Sequence, residues 1–420
     1  MAAELSSLEY GPFALTEKCD GLRYVARQPI LDMRGRVHGY ELLFRNGPEA
    51  VFRGDGDLAT RTMLDNTIIF GLEKLTGGLT AFVNCTREAL TDSLVYVLPP
   101  SMFVLEVLET LEPTAELIGA CRRLKDAGFR LALDDFTWRP GFDPLVEMAD
   151  YIKVDFTLTH AKERRELLNR LDRVTVALIA EKIETQEEYT LACDEGFTLI
   201  QGYYFCRPQL VQNRKVPANR LSHIEILRML GEDPVDLSKL TLLVKRDTSL
   251  TYRLLRLVNS PLSAMRQEVR SVEAAMLAVG EDGFRRIAAL AITSELNAGQ
   301  SIELLRMAII RGRFCELVAR MCDLDPTEQY LLGLLSLLPA MMRIPMGELT
   351  PFLPLREEIC LALMGGGIPE RRTLEWLVSH EKGDWTACDE IANAYQLDQI
   401  QLLQCYSDAV VWAEAAFHLA

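Results

Sequence analysis

The first half of the chain alternates short apolar runs with longer amphipathic stretches. The short runs, rich in Val, Ile, Leu and Phe, are Tyr24–Ile30, Gly39–Phe44, Thr80–Asn84, Met102–Val107, Arg130–Asp135, Tyr151–Asp155, Val176–Glu181 and Leu199–Phe205. Near-continuous apolar runs of this length predict strands buried on both faces. Between them, helical periodicity appears at Thr60–Leu75, Thr114–Ala127, Lys162–Leu171 and Thr185–Glu195. Gly128 and Gly196 stand just past two of these stretches, where a helix C-terminal glycine is expected. Eight strands alternating with helices predict an α/β fold closed as a TIM-like (β/α)8 barrel rather than an open sheet. The first two runs are separated only by Leu31–His38, too short for a helical crossover, so the barrel is expected to start irregularly, with a hairpin.

The texture changes near Cys206-Arg207-Pro208. Gln209–Asn219 is polar and reads as a linker. Beyond it strand-like runs nearly vanish, and helical periodicity dominates at Arg220–Leu230, Leu237–Val244, Leu250–Val258, Val272–Val279, Phe284–Leu296 and Ile302–Arg320. The expected organisation is a tail over residues 1–20, a barrel over 21–208, a linker over 209–219 and an all-α domain over 220–420.

Composition narrows the class. With 420 residues, 49% hydrophobic and 25% charged, the chain is not a disordered or fibrous one. Acids outnumber bases 60 to 45, and the formal net charge of −15 argues against a nucleic-acid polymer as partner. The ten cysteines are scattered and form no Cys-x-x-Cys pair, which predicts reduced thiols in a cytoplasmic protein without structural zinc. Residues 1–20 lack the basic start and apolar core of a signal peptide, and no apolar run reaches membrane-spanning length.

The candidate chemistry lies at the ends of the apolar runs. In chain order these are Glu41, Asn84, Glu106, Asp134 with Asp135, Lys153, Glu181 and Gln201. In a βα barrel the C-terminal strand ends meet on one face. The carboxylates are therefore expected to converge, and crowded carboxylates repel unless cations offset them. An oxygen-only donor set favours Mg²⁺ or Mn²⁺ over zinc. Lys153, set among acids, is expected to orient or deprotonate a water.

These residues carry a family resemblance. Tyr40-Glu41-Leu42-Leu43-Phe44-Arg45 resembles the Glu-Ala-Leu signature of the EAL phosphodiesterases of bacterial cyclic di-GMP signalling. Gln28-Pro29-Ile30, Phe82-Val83-Asn84, Leu105–Glu109, Leu133–Phe136, Ile152–Asp155, Ala180–Thr185 and Gln201–Phe205 are similar to the family's other motifs, in the family's order. The resemblance implies two Mg²⁺ or Mn²⁺ ions that serve hydrolysis of cyclic di-GMP to linear pGpG. Carried over by position, it implies Glu41, Asn84, Glu106, Asp134, Asp135 and Glu181 as metal ligands. Lys153 would position or activate the nucleophile, and Glu109 would hold the loop after Asp135. Gln28, Glu184 and Gln201 would line the site, with Arg45 on a substrate phosphate. Three positions depart from the pattern: Leu42 stands for Ala, and Thr137 and Lys182 each stand for Gly.

In the second half, Leu243–Leu250, Leu254–Pro261 and Val269–Gly280 resemble the HDOD domain, a helical relative of the HD metal phosphohydrolases. The five histidines, His38, His160, His223, His380 and His418, include no His-Asp pair, so no metal is expected there. The whole chain resembles the YuxH-type architecture, an EAL barrel followed by HDOD. The resemblance implies a cytoplasmic signalling protein that binds and hydrolyses cyclic di-GMP. Its HDOD domain would regulate or bind an unknown protein partner, and a homodimer is expected. The alternative is a non-catalytic cyclic di-GMP receptor or scaffold.

Overall fold

In the computed structural model, the described residues are 23–46, 76–91, 95–96, 98–171, 174–206, 218–230, 237–260, 269–353 and 355–417. The N-terminal tail, the expected helix at Thr60–Leu75, most of the expected linker, His418 and the side chain of Arg45 lie outside them.

Eight strands close into one barrel in chain order: β1 (Arg23–Asp32), β2 (Val37–Asn46), β3 (Thr80–Cys85), β4 (Phe103–Val107), β5 (Arg130–Leu133), β6 (Tyr151–Asp155), β7 (Ala177–Glu181) and β8 (Leu199–Gln201). Strands β2 to β8 run parallel, while β1 pairs antiparallel with both β2 and β8. The expected hairpin is therefore present, and its turn is fixed by the Asp32 carboxylate, which accepts from the backbone N–H groups of Arg34 and Arg36.

Helices α1 (Arg87–Thr91), α2 (Ala115–Asp126), α3 (Asp143–Met148), α4 (Ala161–Leu171) and α5 (Gln186–Asp194) connect the parallel strands. Their starts are written in the sequence. Thr114 caps α2, and Thr185 with Glu188 forms a capping box on α5, satisfying backbone donors that the first turn leaves orphaned.

The strand β8 is shorter than its apolar run. It ends at Gln201 because Gly202 follows with φ +149°, where a Cβ would stand 2.2 Å from the Ile183 carbonyl oxygen. Only glycine permits that approach.

From residue 218 onward the described chain is helical: α6 (Ala218–Leu230), α7 (Leu237–Arg246), α8 (Thr248–Val258), α9 (Val272–Leu296), α10 (Ile302–Ala319), α11 (Pro326–Leu335), α12 (Leu338–Met342), α13 (Met346–Leu349), α14 (Glu357–Leu363), α15 (Arg372–Glu381), α16 (Trp385–Ala394) and α17 (Gln399–Phe417). Asn259 ends α8, and its side chain also holds both the N–H and the carbonyl of Val269. That Asn is thus occupied in a loop closure. The helices share one apolar core, separate from the layer between barrel and helices.

Candidate functional site

Period-two alternation along the strands builds the site. Every strand but β2, which has Gly39 at that level, sends one apolar residue into the barrel, and every strand, two residues closer to the mouth, one polar residue. The lower layer is Ile30, Phe82, Val104, Ala132, Tyr151, Ile179 and Leu199, a closed apolar cluster. The layer above it is Gln28, Glu41, Asn84, Glu106, Asp134, Lys153, Glu181 and Gln201.

Lys153 is the centre of that layer. Its Nζ lies 3.1 Å from Glu41 Oε2, 3.0 Å from Glu106 Oε1, 2.8 Å from Asp134 Oδ1 and 2.9 Å from Glu181 Oε1. Lys153 is 1% exposed and Glu106 0%. Asn84 Nδ2 donates to Glu41 Oε1 at 3.0 Å, and Gln201 Nε2 donates to Glu41 Oε2 at 2.6 Å.

One ammonium cannot satisfy four carboxylates. Glu106 is held well above the usual carboxylate range by burial and by the charges of Glu41, Asp134 and Glu181. Burial and the Asp134 and Glu41 charges likewise raise Glu181, against the pull of Lys153. Asp134 is raised by burial, with Lys153 opposing. Glu41 goes the other way: burial pushes it up, but Lys153 and the donors Gln201 and Asn84 outweigh that, and it is lowered. Burial pulls Lys153 down, but its four acid neighbours win and raise it well above the usual lysine range.

Oxygen acceptors are left over. Asn84 Oδ1, both Glu106 oxygens, Asp135 Oδ1 and Glu181 Oε2 are buried without a hydrogen-bond partner; the Glu106–Lys153 contact is electrostatic and lacks hydrogen-bond geometry. One oxygen each of Asp134, Asp135 and Glu181 lies within 4.8 Å of the others. Buried acceptors with no donor, all oxygen, suit a hard divalent cation.

Asp135 joins its neighbour Asp134 because its backbone turns left-handed, at φ +39°, breaking the alternation that would aim consecutive side chains apart. Lys182 is also left-handed, at φ +57°. Its ammonium pairs closely with Asp155 Oδ2 and stands 3.7 Å from Asp135 Oδ2.

The other expected residues divide. Gln28 Oε1 accepts from Gln201 Nε2 at 3.1 Å, so Gln28 belongs to the layer. Glu184 sits half-buried in the loop after β7, with its backbone N–H on Glu188 Oε2. The Glu109 carboxylate is exposed and does not reach the loop after Asp135. Its backbone carbonyl does so instead, accepting from Arg139. Leu42 points away from Glu41, into the core between barrel and helices, so its extra bulk does not crowd the site. Asp155 is an addition: 2% exposed and two residues beyond Lys153 on the same strand face, it was signalled by that spacing. In the helical half, His223 pairs with Asp247 at 2.8 Å, and buried His380 is packed among aromatic rings.

Comparison with known proteins follows the two halves. The EAL domain model matches residues 82–208 and the HDOD domain model residues 217–344. The chain is 34% identical over 400 residues to the uncharacterized protein YuxH of Bacillus subtilis, covering 93% of this chain and 97% of that one. It is 30% identical over 398 residues to the cyclic di-GMP phosphodiesterase CdgJ of Vibrio cholerae, covering 93% and 92%. A structure of Klebsiella pneumoniae BlrP1 in complex with calcium and cyclic di-GMP is 25% identical, with TM-score 0.36, covering 44% of this chain and 55% of that one.

Proposed function

The chain belongs to the proteins that join an EAL domain to an HDOD domain, and from that premise we propose that its barrel binds cyclic di-GMP and hydrolyses it to linear pGpG, in the cytoplasm. The observation that carries this reading is the set of buried oxygens around Lys153 that no donor satisfies. Glu41, Asn84, Glu106, Asp134, Asp135 and Glu181 would hold two Mg²⁺ or Mn²⁺ ions. Bound there, divalent cations supply Lewis acidity to a phosphodiester and lower the pKa of a water.

The chain's own residues do the rest. Asn84 and Gln201 orient Glu41 by donating to its two oxygens. Lys153, raised well above its ordinary pKa, acts as a donor that aligns the carboxylates and a water rather than as a base. Gln28 and Gln201 wall the mouth, and Arg45 would, by its position in the motif, take a substrate phosphate. The HDOD domain serves as a protein-interaction module, and the chain works as a homodimer.

One observation favours a second reading, a cyclic di-GMP receptor without turnover. Lys182 brings a fixed positive charge to Asp155 and Asp135, at the edge of the cation site. Product analysis with Mn²⁺ and cyclic di-GMP separates the two. Linear pGpG from the wild type but not from Glu41→Ala supports hydrolysis. Tight nucleotide binding without product supports the receptor.

A further inference from the structure

Two ties run from the helical half to the strand pair that carries Glu41. On the outer face of β2, the Tyr40 hydroxyl donates to Glu303 Oε2 at 2.8 Å, with Arg306 Nη1 2.9 Å from the hydroxyl and 2.8 Å from that carboxylate. Arg27 of β1 lies over the Tyr40 ring and reaches Glu414 Oε1 at 3.4 Å. Tyr40 and Glu303 are each 1% exposed. Tyr40, the residue directly before Glu41, thus touches α10 directly and is linked to α17 through Arg27.

On the inner face, Gln28 Nε2 donates to the Glu381 carbonyl at the end of α15, at 3.3 Å. Gln28 Oε1 accepts from Gln201 Nε2, which also donates to Glu41 Oε2. The Glu381 carboxylate is itself held by Arg311, at 2.6 and 3.1 Å, with both side chains buried. A hydrogen-bonded chain thus runs from the helical core to an oxygen of the first expected cation ligand.

We propose that the helical domain sets the position of Glu41, with Gln28 and Tyr40 as positioning residues through which it acts. The inference rests on the reading of Glu41 as a cation ligand. Outer-shell hydrogen bonds orient ligands and tune metal affinity, and here part of that shell comes from another domain. A ligand or partner that moves α10 or α15 then changes cation affinity in the barrel.

The test is calorimetric titration of the full chain with Mn²⁺ alone, without nucleotide. Gln28→Met and Tyr40→Phe are each compared with wild type, with circular dichroism confirming the fold. Each variant is expected to bind Mn²⁺ about tenfold more weakly. Tyr40 faces away from the cation site, so a purely structural role would lower the melting temperature and leave Mn²⁺ affinity unchanged. Unchanged affinity in Tyr40→Phe overturns the inference, whatever Gln28→Met does. If Tyr40→Phe does not fold, Glu303→Met removes the acceptor of the same tie, and the same result decides. A wild type that binds no Mn²⁺ overturns the cation-site reading, and this inference with it.

Discussion

Lys153 Nζ stands 3.0 Å from Glu106 Oε1, with both side chains sealed from water at the centre of the barrel. Removing one partner of a buried ion pair leaves an uncompensated charge, which costs far more than the pair contributes. Lys153→Met is therefore expected to lower the stability of the chelator-treated protein by about 3 kcal/mol or more. Added Mn²⁺ should restore most of the loss, because it supplies the missing positive charge. Urea denaturation with and without Mn²⁺ measures both; unchanged stability in chelator would contradict the central role of Lys153.

The acids around it give a pH signature. Glu106 and Glu181 have folded-state pKa values raised above their ordinary 4.5. Their contribution to stability is then complete below about pH 4.5 and is lost as pH rises through the raised values. Glu41, which is lowered, contributes in the opposite sense, losing its share as pH falls below its ordinary value. The metal-free protein is expected to lose stability as pH is raised above 4.5 toward neutrality. Saturating Mn²⁺ should flatten that fall. A metal-free stability that rises steadily over this range would mean the two raised carboxylates are not buried as described.

Much of this was legible in the sequence. The apolar runs end in oxygen-bearing residues because each strand but β2 places a polar side chain two residues above an apolar one, as with Phe82 and Asn84 or Ile179 and Glu181. The same period pointed to Asp155 above Lys153, and the strand-end reading stopped one step short of it. Glu109 shows the opposite limit: a carboxylate in a motif reads as functional, yet its backbone carbonyl does the tying. The link from Gln28 to Glu381 joins residues 353 positions apart, and no local pattern encodes it.

Lys182 makes a prediction of its own. Its left-handed backbone costs a non-glycine residue about 1 kcal/mol, and its half-exposed pairing with Asp155 returns little of that. Lys182→Gly should leave stability close to wild type. Removing a cation 3.7 Å from Asp135 should strengthen Mn²⁺ binding several-fold, roughly 1 kcal/mol. Weaker Mn²⁺ binding in this variant would show that Lys182 organises the site instead of competing with the cation.

Gly202 tests the close approach of β8 to the loop after β7. A Cβ there meets the Ile183 carbonyl oxygen at 2.2 Å, a backbone atom that has no rotamer to yield. Gly202→Ala is expected to destabilise the fold by about 3 kcal/mol or more, read by denaturant midpoint. A loss within a few tenths of a kcal/mol would refute the packing described at the end of β8.

The cation site itself is tested most directly by calorimetric Mn²⁺ titration of the full chain in three single variants beside the wild type. Saturable binding is expected in the wild type, weakened at least about tenfold by Glu106→Gln and by Asp134→Asn. Glu109→Gln, whose carboxylate is exposed away from Lys153, should match wild type. Absence of Mn²⁺ binding in the wild type, or equal affinity in Glu106→Gln and Asp134→Asn, would contradict the account.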